Sequence, residues 1–287
     1  MHSRIRALCL LAPLALALLA STQAQAEGDA SAAPPAQAPP ANVLVLRENA
    51  TGSAATAQPY VDALMVHLAR ANGWSGANGT YHTKRAAAKS YIATAQPQYG
   101  ILSLGAFLAL RGDLKLQVVG QAEVEGGGGL QYYVVSKTQS DLAGCKGKTL
   151  ATNHGGDTRF VEKVIAQGAF VLGDFTVETT SRPVQTLKKV LSGEAECALI
   201  DDAQMGELTN LEGGAQVHPV WFSATMPPMP IVAFANATAQ GVSGFKAALA
   251  SVCAGDGAQA CAAAGIKALR ESDGVPYDAV IASSSVK

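Results

Sequence analysis

The chain has 287 residues, of which 15% are charged, and its formal net charge is −1. Apart from Lys188 and Lys189 its basic residues form no cluster, and this argues against a nucleic-acid partner. Beyond the first 26 residues, no apolar run reaches the roughly 20 residues that a membrane-spanning helix needs.

The first 26 residues have the pattern of a secretory signal peptide. Arg4 and Arg6 precede an apolar run over 7–20, and Ala24–Ala26 has the small-x-small pattern that signal peptidase recognises. An uncleaved membrane anchor is the alternative interpretation. Residues 27–41 are rich in proline and alanine and contain no large apolar side chain, which predicts a disordered leader. We therefore expect a periplasmic or secreted protein, cleaved near Ala26.

Cleavage would leave four cysteines, an even number that in an oxidising compartment suggests two disulfides. Three pairings are possible. The short separation of Cys253 and Cys261 favours a local bridge between them, and this leaves Cys145 for Cys197. No CxxC motif or histidine cluster accompanies the cysteines, so we predict no metal site and no cofactor.

Short β-branched runs alternate with helical periodicities in the first part of the folded region. Strands are predicted at 42–46, 80–82, 99–104, 116–121 and 130–136. Helices are predicted from Pro59 to Gly73, over 85–94, and from Gly105 onward. This alternation is typical of an α/β fold with largely parallel sheets.

A second series of units begins at Lys148. Strands are predicted at 148–152, 175–178, 196–200, 217–222 and 230–234. Helices are predicted after Asp157, from Pro183, and over 204–208, 242–253 and 262–270, with Asp202 as an N-cap. Because the strand–polar loop–helix theme starts twice, we expect two lobes whose polar loops face each other across a cleft. The expected lobes are 42–135 plus 226–287, and 136–225.

Five segments, taken in order, carry a resemblance to a known family. They are NVLVLRENATGSAATAQPYVDALMVHLARANGW, YGILSLGAFLALRG, DLAGCKGKTLAT, TLKKVLSGEAECALID and MPPMPIVAF. Their order and spacing resemble the type II periplasmic binding proteins, and most closely the phosphate/phosphite/phosphonate transporter substrate-binding family. That family commonly has a serine/threonine-rich turn where this chain has Thr152–Thr158.

The resemblance implies an exported, monomeric solute-binding protein that is not an enzyme. It would capture a small phosphonate- or phosphate-like anion, or a zwitterion, by hinge closure and deliver it to an ABC permease. Two alternatives keep the fold: a ligand sensor, and an enzyme of the pyrimidine-forming or prephenate-processing type. No catalytic signature such as GxSxG or HExxH supports the enzyme.

The loop over 153–158 is the first candidate ligand site, because backbone amides and the dipole at a helix start favour an anion. Gly155 and Gly156 permit close approach, Thr158 offers a hydroxyl, and Asp157 either caps the helix or accepts a proton from the ligand. A plain capped loop is the alternative. The full set of candidate ligand-binding residues is Arg47, Asn49, Ser53, Ser103, Tyr132, Asn153, His154, Gly155, Gly156, Asp157, Thr158, Arg182 and Asp201.

Overall fold

The computed structural model describes residues 37–50, 53–124 and 128–285. The predicted signal peptide, the predicted leader up to residue 36 and part of the glycine run at 126–129 lie outside the described residues, so those interpretations stay predictions. The end of the predicted leader is ordered, since Ala38 pairs with Trp74 and Ala41 begins the first strand. Among the described residues, none of the helices combines the length and the apolar character needed to cross a membrane.

The first sheet contains six strands in the order β11-β4-β10-β3-β1-β2. Their bounds are β1 Ala41–Leu46, β2 Ala77–His82, β3 Tyr99–Leu102, β4 Gln117–Val124, β10 Met229–Ala233 and β11 Ile266–Glu271. β1 lies parallel to both of its neighbours, β2 and β3. β10 is antiparallel to β3 and β4, and β11 is antiparallel to β4. The sheet therefore has a parallel half at β1, which the predicted alternation requires, and an antiparallel half.

Helices cover both faces of this sheet. They are α1 Ala54–Asn72, α2 Arg85–Ala95, α3 Leu104–Leu114, α7 Ala239–Val252, α8 Gly257–Ala263 and α9 Asp278–Ser285. From Val43 onward β1 is apolar on both faces, because Val43 and Val45 belong to one buried cluster and Leu44 and Leu46 belong to another. A strand buried on both faces reads as a continuous apolar run.

The second sheet contains five strands in the order β7-β6-β8-β5-β9. Their bounds are β5 Tyr132–Ser136, β6 Thr149–Thr152, β7 Thr176–Thr179, β8 Cys197–Asp201 and β9 His218–Phe222. β6 is parallel to β7 and β8, whereas β5 is antiparallel to β8 and β9. α4 Leu142–Cys145, α5 Pro183–Ser192 and α6 Asp202–Leu208 accompany this sheet, as does the π-helical segment Phe160–Ile165.

One buried cluster joins the two sheets. It contains Leu46 and Phe107 from the first sheet and its helices, and Leu150, Phe160 and Val164 from the second. Burial of these apolar side chains favours contact between the two lobes, and this contact keeps the loops at the strand ends close to one another.

The separation of β1 and β6 into different sheets confirms the predicted two-lobed α/β class. The exact lobe limits stay a prediction, with one adjustment. Tyr132–Val135 was assigned to the first lobe, but β5 pairs with β8 and β9 in the second sheet. We therefore place the first crossing between Val124 and Tyr132, and the return crossing between Phe222 and Met229.

Two helix predictions are corrected. The first helix was expected to start at Pro59, but it starts at Ala54, because Ser53 and Thr56 form a capping box. The range 262–270 was predicted as helix, but Ile266–Glu271 is a strand. Gly265 has a φ of 68°, which ends the preceding helix, and the segment then pairs with the otherwise open edge of β4.

The predicted disulfides are both present. The Cα atoms of Cys145 and Cys197 are 6.0 Å apart, and those of Cys253 and Cys261 are 5.6 Å apart. Both separations lie in the usual range for a bridge. The first bridge fastens α4 to β8, and the second closes the short connection between α7 and α8.

Candidate functional site

A cavity of about 200 Å³ lies between the two sheets, at the carboxyl ends of β1, β3, β6 and β8. Open α/β sheets bind ligands at this edge. We call this cavity the inner chamber. Its polar lining residues are Arg47, Glu48, Asn49, Arg85, Ser103, Tyr132, His154, Asp157, Asp201 and Gln204. The structure thus brings together seven of the thirteen residues that we predicted from the sequence.

An ion-pair triad bridges the chamber. The Arg85 guanidinium donates to both carboxylate oxygens of Glu48, at 2.8 and 2.7 Å, and to Oδ2 of Asp157 at 2.9 Å. Arg85 and Glu48 belong to the first lobe, while Asp157 belongs to the second. These side chains are only 14–27% exposed, so water screens the triad weakly. Burial by itself lowers the pKa of Arg85, but the hydrogen bonds and charges of Glu48 and Asp157 together outweigh burial and raise it.

Asp157 also caps the helix that follows it. Its Oδ1 accepts a hydrogen bond from the backbone N–H of Phe160 at 3.0 Å, as the sequence suggested. Both of its carboxylate oxygens therefore have protein partners. Through Oδ2 the residue neutralises Arg85, a contact that we did not predict.

The floor of the chamber is formed by Tyr132, His154 and Asp201, all of which are buried. Nε2 of His154 lies 4.0 Å from Oδ2 of Asp201, and the rings of Tyr132 and His154 meet edge to face. Burial lowers the pKa of His154 to about 4 and raises the pKa of Asp201 to about 6. Both shifts oppose charge, because a low-dielectric environment disfavours an ionised group.

Asp201 has a structural task besides lining the chamber. Its Oδ1 accepts a hydrogen bond from the backbone N–H of Gln204, so Asp201 caps α6, a role that we had predicted for Asp202. Asp202 instead accepts from the backbone N–H groups of Gly128, Gly129 and Leu130, the segment that crosses between the sheets. The predicted strand ended at residue 200, whereas β8 ends at Asp201, so Asp201 stands directly before α6.

Arg47 is the cation of the chamber that makes no ion pair among the described residues. It follows β1 and is half-buried. A Cβ atom at Gly128 would lie 3.3 Å from Nη2 of Arg47, and at Gly129 it would lie 2.8 Å from the Tyr132 hydroxyl. Both glycines have positive φ values. Side chains here would crowd the two hydrogen-bond donors, so the glycines keep these donors accessible.

Four predicted residues of the second-lobe loop do not line the inner chamber. Asn153 is buried and accepts a hydrogen bond from the Thr186 hydroxyl at 3.2 Å, so it supports α5. Gly155 packs against Thr179, whose Oγ1 would lie 2.5 Å from a Cβ atom at this position. Gly156 and Thr158 are exposed. The loop therefore contributes mainly His154 and Asp157 to the cleft.

The remaining two predicted residues, Ser53 and Arg182, line a second cavity of about 600 Å³ at the mouth of the cleft. We call this cavity the outer groove. It shares Asn49, Ala50 and Pro183 with the inner chamber. Its other polar lining residues are Thr56, Thr83, Lys84 and Ser181.

Sequence reasoning missed Glu48, Arg85, Gly128, Gly129 and Gln204. Glu48 directly follows Arg47 at the end of β1, so its position offered a signal. Arg85 offered none, because its partners lie 37 and 72 residues away in the sequence. Among the residues that the structure describes, no group of three histidine, cysteine, aspartate or glutamate side chains is arranged to hold a metal ion.

No protein-family model matches the sequence, and no curated protein is significantly similar to it in sequence. Solved structures do share its fold. The binding protein component of an ABC phosphonate transporter from Pseudomonas aeruginosa has a TM-score of 0.61 at 15% identity, over 82% of this chain and 82% of the other. PhnD1 from Prochlorococcus marinus, in complex with methylphosphonate, has a TM-score of 0.64 at 9% identity, over 85% and 96% of the two chains.

A Xanthomonas citri protein bound to ATP has a TM-score of 0.68 at 10% identity, over 85% of this chain and 96% of the other. These similarities confirm that the chain has the two-lobed fold of the type II periplasmic binding proteins. At identities of 9–15% they establish the fold alone. The ligand has to be argued from the chemistry of the cleft, since one fold serves many functions.

Proposed function

We propose that this protein is an exported solute-binding protein that captures a small anion or zwitterion between its lobes. In this proposal an ABC permease receives the solute, and the protein acts as a monomer without a cofactor. The observation that carries the proposal is the inner chamber itself. It lies at the strand ends of both lobes, and its lining includes the hydroxyls of Ser103 and Tyr132 and the guanidinium of Arg47, which makes no ion pair among the described residues.

An oxyanion such as a phosphonate suits these three donors. A guanidinium binds an oxyanion through two parallel hydrogen bonds, and hydroxyls donate to its remaining oxygens. The proteins from P. aeruginosa and P. marinus that share the fold are named for phosphonate transport and methylphosphonate binding, which supports this ligand class.

Hinge closure supplies the coupling between binding and delivery. Arg47 and Ser103 come from the first lobe, whereas Tyr132, His154 and Asp201 come from the second sheet. A ligand that contacts both groups stabilises the closed arrangement over the open one. No chemical step is needed, because the donors bind and orient a solute without a nucleophile.

Isothermal titration calorimetry of the mature protein tests the proposal. The panel is inorganic phosphate, methylphosphonate, ethanesulfonate, glycine and glucose. We expect saturable binding of at least one anion or of the zwitterion, and recovery of that compound unchanged after prolonged incubation. Binding of glucose alone would overturn the proposed ligand class. Conversion of a bound compound would favour the enzyme alternative, and native mass spectrometry of the purified protein would identify a solute that co-purifies.

A further inference from the structure

We infer that the solute carries two anionic groups, one in the inner chamber and a second in the outer groove between Lys84 and Arg182. This inference rests on the proposed function and deepens it, since it assigns the length and charge of the ligand. The inference rests on the position of the two cavities, which share lining residues. Among the described residues, the chamber has one cation without an ion pair and the groove has two.

Size is the first argument. The inner chamber holds about 200 Å³, which is below the roughly 300–1,000 Å³ that is usual for small-molecule sites. The outer groove adds about 600 Å³, and the two cavities share Asn49, Ala50 and Pro183. A ligand that fills a site of ordinary size therefore extends from the chamber into the groove.

Charge is the second argument, and it separates the two cavities. Carboxylates of Glu48, Asp157 and Asp201 line the inner chamber, and two of them already neutralise Arg85. A second anionic group in the chamber would face these carboxylates, and among the described lining residues Arg47 is the only cation that makes no ion pair. Like charges at short range in a poorly screened cavity repel strongly. The chamber thus accommodates one anionic group and disfavours another.

The outer groove has the opposite character. Among the described residues that line it there is no aspartate or glutamate, and its two cations, Lys84 and Arg182, make no ion pair with any described residue. The Thr83 hydroxyl adds a donor beside them, whereas the hydroxyls of Ser53 and Ser181 are already hydrogen-bonded to Thr56 and Gln185. A phosphate, phosphonate or carboxylate group in this position would find donors and no competing carboxylate.

The two cations also come from opposite lobes. Lys84 follows β2 of the first sheet, and Arg182 follows β7 of the second. An anionic group held by both would contact both lobes and so stabilise closure, as the group in the inner chamber does. Both side chains are exposed, so each contact is individually modest, and the effect depends on the pair.

Calorimetry with two matched series of compounds tests this inference. The first series is the linear alkane-α,ω-diphosphonates with one to six methylene groups, and the second is the alkylphosphonates of equal length. We expect at least one diphosphonate to bind the wild-type protein about tenfold more tightly than its partner, as one additional charge-assisted contact would provide.

The variant K84Q/R182Q should abolish that advantage and should change the affinity for the alkylphosphonates no more than the charge-matched control variant does. The control variant K89Q/K188Q removes the same charge from exposed positions of α2 and α5 that do not line the groove. It should keep the advantage to within about twofold, because distant exposed charges are screened.

Three outcomes are distinguishable. If no diphosphonate binds better than its partner, or if the advantage survives in K84Q/R182Q, the inference is wrong and the proposed function stands. Equal loss of the advantage in both variants would also overturn it, since the effect would then be a general one of net charge. If neither series binds the wild-type protein, the proposed phosphonate-like class itself fails.

Discussion

The inner chamber contains one paired arginine, Arg85, beside the unpaired Arg47, whereas neither cation of the outer groove is paired among the described residues. In the chamber, Arg85 is held by Glu48 and Asp157 at hydrogen-bond distance. In the groove, Arg182 and Lys84 are exposed and have no carboxylate partner among the described residues. An arginine near a cleft is therefore a candidate for anion binding only when no carboxylate of the same protein pairs with it. An arginine that is paired in this way stabilises the fold instead.

The largest expected effect concerns the buried pair on the chamber floor. The pKa of His154 falls from 6.5 to about 4 and that of Asp201 rises from 3.8 to about 6. Between pH 4 and pH 6.5 the unfolded state protonates His154 and the folded state does not, so the contribution of His154 to stability rises with pH. Folded Asp201 keeps the proton that the unfolded residue loses, so its contribution falls with pH. Each contribution amounts to about 3 kcal/mol, and in the wild-type protein the two largely cancel.

Single substitutions should reveal the pH dependence that each of these two residues gives to the free energy of unfolding. In D201N the free energy of unfolding should rise from pH 4 to pH 6.5 relative to the wild-type protein, and in H154Q it should fall over the same interval. Urea unfolding at several pH values measures both. D113N, which removes an exposed carboxylate elsewhere, is the control. If the pH profiles of D201N and H154Q run parallel to the wild-type profile, burial does not shift the pKa values of His154 and Asp201.

A second prediction concerns the ion-pair triad. R85M should lower the free energy of unfolding by about 2–3 kcal/mol, because two partly buried carboxylates would then face each other without a cation. K89M, on the exposed face of the same helix, should have little effect. The triple variant R85M/E48Q/D157N should regain most of the loss in a urea titration. A loss in R85M as small as that in K89M would mean that Arg85 is solvated in solution.

How far the sequence predicts this molecule depends on how local each signal is. The strands β1 and β6, the cap at Asp157 and the bridge between Cys253 and Cys261 follow from residues close together in the chain. Ile266–Glu271 was predicted as helix because its periodicity is ambiguous, and its state is decided by the edge of β4, more than a hundred residues earlier. Tertiary pairing of this kind overrides local propensity.

The candidate site follows the same rule. Arg47, Ser103 and Asp201 could be placed because each stands at the carboxyl end of a predicted strand, and a parallel sheet brings such ends together. The pairing of Arg85 with Glu48 and Asp157 could not be predicted, since it joins three segments that are far apart in the sequence. Nor does the sequence show that His154, a polar residue in a glycine-containing loop, is almost fully buried.

The contrast between paired and unpaired cations also predicts the effect of substitution on ligand binding. R47A should weaken binding of methylphosphonate by about 2 kcal/mol, because it removes the unpaired guanidinium of the chamber. R47K should bind with intermediate affinity, since an ammonium cannot make the two-pronged contact. Calorimetry measures both, with R70A, at an exposed position of α1, as the control. Unchanged affinity in R47A would place the anion elsewhere in the cleft.

The smallest expected effect separates the two tasks of Asp157. Asparagine can still cap the helix, since its side-chain oxygen accepts the Phe160 N–H equally well, but it cannot neutralise Arg85. D157N should therefore lower the free energy of unfolding by about 1 kcal/mol, and D157A by about 1 kcal/mol more, because alanine also loses the cap. D157N should at the same time bind methylphosphonate more tightly than the wild-type protein, since a negative charge has left the chamber and Arg85 is partly released. Equal stability of D157N and D157A would show that the cap contributes nothing. Weaker binding in D157N would show instead that the carboxylate accepts a proton from the ligand, so that the chamber selects the protonated form.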